Sequence, residues 1–212
     1  MPVLNSISEI RMGATLRGRD ATRPDPNGSY RFIRIGDISQ EGTFKPNDFI
    51  RIQPNEKVNP ELLLRSGDVL FPNRGTRTTA IAYRSDDDPT IVGAQFFIVR
   101  PDTIRLLPEY LAWYLRSEEV ARHFDARRKG SYIKIIQRSD LAELEIPVPS
   151  LETQNRIVEI NKLSLQEREL LTRIQTRRQS LMEAMLREAV HRRSPSSRSA
   201  NRSKKTKPVR KS

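Results

Sequence analysis

The stretch Asn73-Arg-Gly-Thr-Arg-Thr-Thr79 gathers an amide, two guanidinium groups and three hydroxyls around one glycine, directly after a strand-like run. Groups of these types hydrogen-bond phosphate oxygens and base edges, so Asn73, Arg74, Thr76, Arg77 and Thr78 are candidate contacts to a nucleic acid. A second candidate is Arg127-Arg-Lys-Gly-Ser-Tyr-Ile-Lys-Ile-Ile-Gln-Arg138. From Arg122 to Arg138 six bases (Arg122, Arg127, Arg128, Lys129, Lys134 and Arg138) face one acid, Asp125, which is the densest basic cluster outside the C-terminal tail. Arg127, Arg128, Lys129, Ser131 and Lys134 join the candidate set for their charge and loop placement. The competing reading is an ordinary solvated surface.

Catalytic patterns are missing. With no cysteine, thiolate chemistry, iron–sulfur clusters and Cys-type zinc sites are excluded, and the two histidines, His123 and His191, lie too far apart in sequence for a histidine metal cage. The chain has no GxGxxG, GxxxxGK[ST], HExxH or GxSxG motif. Asp86-Asp-Asp88 precedes Pro89 between two strand candidates and reads as a solvated turn rather than a cation site. Pro101-Asp102 with Glu109 lacks the Glu-x-Lys that would complete a nuclease carboxylate set, and Phe71-Pro-Asn-Arg74 is not the Asn-Pro-Pro-Tyr of adenine methyltransferases. His123 reads as a surface residue near a helix end, and Trp113 as packing. No catalytic residue, metal ligand or cofactor is expected in this chain.

The elements that must carry these residues follow from periodicity. Residues 30–100 read as short strands: Tyr30 and Phe32, Phe49–Ile52, Asp68–Phe71, and the long run Thr90–Val99 that Pro101 ends. No βα rhythm appears before Pro108, so an α+β fold with a mixed, largely antiparallel sheet is expected. Pro108 and Glu109 suit a helix start, and Tyr110, Leu111, Tyr114, Leu115, Ala121 and Phe124 recur at helical spacing, which predicts one amphipathic helix over 108–125. Asp140 and Glu143 form a capping-box pattern for a helix of one or two turns before Leu144-Glu-Ile-Pro-Val-Pro149 forces an extended course. Ser150 then caps residues 151–190, predicted as a single helix roughly 60 Å long.

The 212 residues therefore divide into a body over 1–148, a long helix over 149–190 and a basic tail over 191–212. Of the 38 bases nine lie in the tail, which has no acid, leaving 29 bases against 26 acids in the rest. A net charge of +12 points to a polyanionic partner, yet the body carries only +3 of it. The tail should be disordered, serving either as a solubilising segment or as a phosphate-binding arm. Between Met1 and Asp20 no apolar run follows basic residues, and no apolar stretch approaches 18 residues, so a soluble, cytoplasmic protein with no membrane contact is expected.

A body of about 145 residues is only about 35 Å across, shorter than the helix. A heptad frame starting at Ile157 collects Ile157, Ile160, Leu171, Ile174, Leu181 and Met185 as dimerisation residues, but also Ser164, Glu167, Arg178 and Glu188. That broken seam suits an antiparallel mate, or a second protein over a wide apolar face, better than a parallel zipper. The alternative is a helix folded back on its own body.

Taken in order, several blocks resemble the DNA specificity (S) subunits of type I restriction-modification systems. They are Ile35-Gly-Asp-Ile38; Leu64-Arg-Ser-Gly-Asp-Val-Leu70 with Asn73-Arg-Gly-Thr76; Glu109-Tyr-Leu-Ala-Trp-Tyr-Leu115; Gly130-Ser131; and Leu141-Ala-Glu-Leu-Glu-Ile-Pro-Val-Pro-Ser-Leu-Glu-Thr-Gln154 with Arg156-Ile157. The resemblance implies a target recognition domain that reads half of a bipartite site on double-stranded DNA. It also implies a coiled-coil-forming helix that docks methyltransferase (M) subunits, with S-adenosylmethionine bound in the partner and restriction (R) subunits as further partners. It does not identify base-contacting residues. Typical members carry two recognition domains and two helices, whereas one of each is found here and no internal repeat. A half-size subunit would restore the two-site architecture by homodimerising, which predicts an interrupted palindrome with attachment points under about two DNA turns apart, or by pairing with a different half-subunit. The alternative function is a helix-mediated scaffold or decoy that binds methyltransferase subunits without reading DNA; an enzyme in its own right is the least supported.

Overall fold

The computed structural model describes residues 1–18, 22–45, 49–74, 78–85, 87–127 and 135–192, with the side chains of 126, 127 and 192 left aside. The chain divides into two compact units, Met1–Leu165 and Gln166–Ser212.

The first unit holds two sheets. One has the order β1 (Ser8–Met12), β7 (Phe96–Pro101), β4 (Val69–Pro72), β5 (Ile81–Ala82), all neighbours antiparallel. The other places β2 (Tyr30–Ile33) between β3 (Ile50–Ile52), antiparallel to it, and β6 (Thr90–Val92), parallel to it. The α+β, largely antiparallel expectation holds, with β2–β6 as the one parallel strand pair and Ala14–Gly93 as a parallel isolated bridge among the described residues.

The run 90–99 is not one strand. It splits at Gly93–Gln95 into β6 and β7, which belong to different sheets, and β7 continues to Pro101. The reason lies in the strand exit at Gly13. Gly13 N–H donates to the Phe96 carbonyl and Ala14 N–H to the Val92 carbonyl, so the segment after β1 bonds to both halves of the run. A Cβ on Gly13 would fall 2.3 Å from the Gly93 carbonyl oxygen, an approach only glycine permits.

The helix expected over 108–125 is also two: α1 (Pro108–Leu115) and α2 (Glu118–Arg127). At the break Arg116 N–H bonds back to Trp113 O, and Ser117 Oγ accepts Val120 N–H, capping α2. The Arg116 guanidinium donates to Ala80 O at 2.6 Å, and its burial lowers its pKa. Turning there lets Leu111 and Leu115 of α1 and Val120 and Phe124 of α2 all enter one core against Val69, Phe71 and Val99, with the Phe71 and Phe124 rings 5.7 Å apart.

Helix α3 (Arg138–Ala142) has its cap three residues before the expected one. Asp140 stands inside its first turn and accepts the Gln137 N–H at 3.2 Å, so Gln137 and not Asp140 is the cap residue. The extended stretch that follows pairs with the chain start, Leu4 N–H on Leu144 O and Ile146 N–H on Pro2 O. Helix α4 (Leu151–Arg192) begins at Ser150, whose Oγ accepts the Thr153 N–H. Its Gln154 is fully buried: the side-chain oxygen accepts Leu107 N–H, and the side-chain nitrogen donates to Arg105 O and Pro149 O, each at 2.9 Å. Ile157 and Val158 pack half-buried on the core. From Gln166 to His191, in the second unit, every residue of α4 is exposed.

Candidate nucleic-acid interface

Strand β4 is buried along its length and delivers Asn73 at its end, 4% exposed. Three hydrogen bonds fix this residue. Its N–H donates to Gln95 O (2.9 Å), its Nδ2 to Ala94 O (2.8 Å), and its carbonyl accepts Ile136 N–H (2.9 Å). Its Oδ1 is buried with no hydrogen-bond partner. The next residue, Arg74, is exposed and pairs with Ile135 in an isolated antiparallel bridge.

The two segments singled out by chemistry thus meet where β4 ends. Asn73 and Arg74 open the first, and Ile135 and Ile136 close the second. Thr78 is half-buried, and Arg127 is the last residue of α2. Thr76, Arg77, Arg128, Lys129, Ser131 and Lys134 lie outside the described residues. Of the helix positions, Ile157 is engaged with the core, while Ile160, Leu171, Ile174, Leu181 and Met185 are each more than half exposed.

Beside Arg74 lies an open recess of about 300 Å³, lined by Thr15, Leu16, Phe32, Ala94 and Gln95 among others. An aliphatic and aromatic lining rimmed by a guanidinium, an amide and a hydroxyl suits contact with a base edge and its flanking phosphate. Sequence reading missed Gln95 and the Thr15–Leu16 segment; only the turn signal at Gly93 could have pointed to them.

The acidic turn and the histidine considered in the sequence make local contacts. Asp88 accepts from Arg51 at 3.1 Å, Asp87 accepts from Ser85 Oγ, and His123 lies edge-on to Phe124. No group of three or more His, Asp or Glu side chains there could hold a metal ion, and no described helix is long and apolar enough to cross a membrane. One ion pair with a buried acid is structural: Asp68, 1% exposed, accepts from Arg100 Nε and Nη2 at 2.7 and 2.8 Å. That hydrogen bonding raises the Arg100 pKa.

Comparison with known proteins gives a consistent answer. The profile of the type I restriction modification DNA specificity domain matches residues 3–175. The specificity subunit of the type I restriction enzyme HindI from Haemophilus influenzae is 27% identical over 137 residues, covering 61% of this chain and 28% of that protein. A chain from a structure addressing complex assembly and conformational transition of the type I R-M system aligns with a TM-score of 0.63 at 22% identity, over 86% of this chain and 42% of its own. The HsdS subunit of Thermoanaerobacter tengcongensis aligns at 0.58 and 22% identity, over 82% and 38%. The chain thus spans less than half the length of these relatives, and the structural likeness is one of fold.

Proposed function

Because the chain belongs to the type I restriction-modification DNA specificity family, we propose that it reads double-stranded DNA through the surface around Asn73 and Arg74 and performs no chemistry itself. Specificity subunits of this family are non-catalytic. On this reading the body contacts one half of a bipartite site. The M subunits that dock on it, joined by R subunits, supply the S-adenosylmethionine and cleavage chemistry in the cytoplasm. A second copy pairs through the exposed apolar side chains of α4.

The observation that carries DNA reading is the Arg74–Ile135 bridge with its Asn73–Ile136 hydrogen bond. It ties together the ends of the two basic, hydroxyl-bearing segments, so that both start from one point. Arg74, exposed at this joint, carries donors of the kind that phosphates and base edges accept from.

The test is selection from a random pool of duplex DNA by the full chain, followed by sequencing. An interrupted motif with two-fold symmetry is expected. Retention of all sequences alike would leave only charge-driven binding and end the DNA-reading proposal.

A further inference from the structure

The chain leaving β1, from Gly13 to Gly18, lines two recesses. Thr15 and Leu16 border the one beside Arg74 and Gln95, and with Arg17 they also border a second, of about 130 Å³, whose remaining wall is residues 54–59 and Leu62. Both ends of this segment are held. Gly13 and Ala14 donate to the Phe96 and Val92 carbonyls. Gly18 turns at φ +103°, and a Cβ there would also lie only 3.1 Å from Asn55 Nδ2. Between these ends Thr15 and Arg17 are exposed and Leu16 is half-buried. Side chains on such a fixed backbone give up little freedom when they bind.

Charge distinguishes the second recess. Arg17 and Lys57, both exposed, contribute to it from its two sides, and Glu56 is the one acid among its lining residues, leaving a net charge of +1. Elsewhere in the first unit Arg34, Arg51 and Arg100 are matched by Asp37, Asp88 and Asp68. Arg17 and Lys57 have no ion pair among the described residues, although Glu56 borders the same space. The Asn55 amide adds a neutral N–H donor. A guanidinium, an ammonium and an amide without an aromatic neighbour suit a phosphate, which accepts from all three, better than a base, which needs an edge partner or a stacking face.

We propose that this second recess binds a backbone phosphate of the DNA duplex through Arg17, Lys57 and the Asn55 amide. This rests on the DNA reading proposed above and sets the path of the backbone, which passes over Leu16 from Arg74 toward residues 54–59. Thr15 and Arg17 are at most ~7 Å apart along the chain, about two rises of ~3.4 Å per base pair, so the phosphate lies within two steps of the bases met beside Gln95. A carboxylate of a partner protein would satisfy the same cations. Duplex DNA is favoured because one rigid segment, Thr15–Leu16, borders both this recess and the one beside Arg74. Phosphate contacts carry no sequence information, so the site fixes register while its neighbour discriminates.

Salt titration of the full chain on duplex DNA tests this. Arg17→Ala and Lys57→Ala should each flatten the slope of log K against log salt by about 0.9 per bound copy, and R17A/K57A by about twice that. Glu56→Gln, which removes the one repelling charge, should tighten binding instead. The motif that each variant selects from a random pool should remain that of wild type. Neutral methylphosphonates placed one at a time along the selected duplex then locate the contact. They should weaken wild-type binding at a linkage within two base-pair steps of a motif base, and R17A/K57A should be indifferent to the substitution at that linkage. Unaltered slopes beside a retained motif would overturn the phosphate site and leave DNA reading standing. A motif that changes in R17A/K57A would mean that these residues meet bases, and would also overturn it. Flattened slopes in a chain whose wild type selects no motif would end DNA reading and keep the phosphate contact.

Discussion

Arg74 is held by its neighbour. Asn73 uses its N–H, its carbonyl and its Nδ2 to bind the Ala94–Gln95 turn and the Ile136 strand end, which fixes the backbone from which Arg74 projects. Arg74 itself is exposed and, among the described residues, has no ion pair. A guanidinium on a rigid base gives up little backbone freedom on meeting a phosphate or a guanine edge. Arg74→Ala should accordingly weaken duplex DNA binding by ~1–3 kcal/mol with no shift in the unfolding midpoint. Titration by fluorescence anisotropy beside a thermal melt checks both, and unchanged affinity would move the surface elsewhere. The residue types at 73–79 were legible because they are clustered in sequence. Gln95 was not, since it reaches the site through bonds to a residue 22 positions earlier. The same holds for Asp68, whose partner Arg100 sits 32 residues later in sequence. Local composition shows a polar residue; it does not show the mate across the sheet.

Element boundaries depended on contacts of the same kind. Ser150 and Pro108 announce helix starts by their own chemistry, and both helices begin there or one residue later. The break between α1 and α2 is set by Arg116 reaching Ala80, and the division of 90–99 by Gly13 pressing on Gly93. Strand β1 went unassigned although Glu9 and Arg11 flank a buried Ile10 in the alternation of a half-buried strand. Gln154 shows what such a contact is worth. Its side chain holds the first turn of α4 to the loop before α1 by two hydrogen bonds, and bonds Pro149 O by a third, in a fully buried position. Gln154→Ala leaves the Leu107 N–H and two carbonyls without partners, a cost of about 2 kcal/mol or more against a helix propensity that favours alanine. Urea unfolding should show that loss, and faster hydrogen exchange at the Leu107 amide should place it. An unchanged Leu107 exchange rate would mean that the helix start is held by Ile157 and Val158 instead.

For the whole molecule the deciding quantity is where the charge lies. Nine of the 38 bases fall within residues 192–212, which contain no acid, and the remainder is nearly neutral at 29 bases against 26 acids. Affinity from phosphate neutralisation falls with salt in proportion to the number of contacts, whereas discrimination between sequences comes from base edges and shape. The two roles are therefore separable by deletion. Removing residues 192–212 should lower non-specific duplex affinity at low salt and flatten the slope of log K against log salt by up to about 8, the limit if all nine bases met phosphates. The motif enriched by the shortened chain should remain that of the full chain, because the recess at Gln95 and the Asn73–Arg74 turn are untouched. A flattened slope with an unaltered motif assigns the tail to capture and the body to reading. An unaltered slope would show that the tail meets no DNA, and that the near-neutral body draws the duplex through local clusters such as 122–138 despite its small net charge.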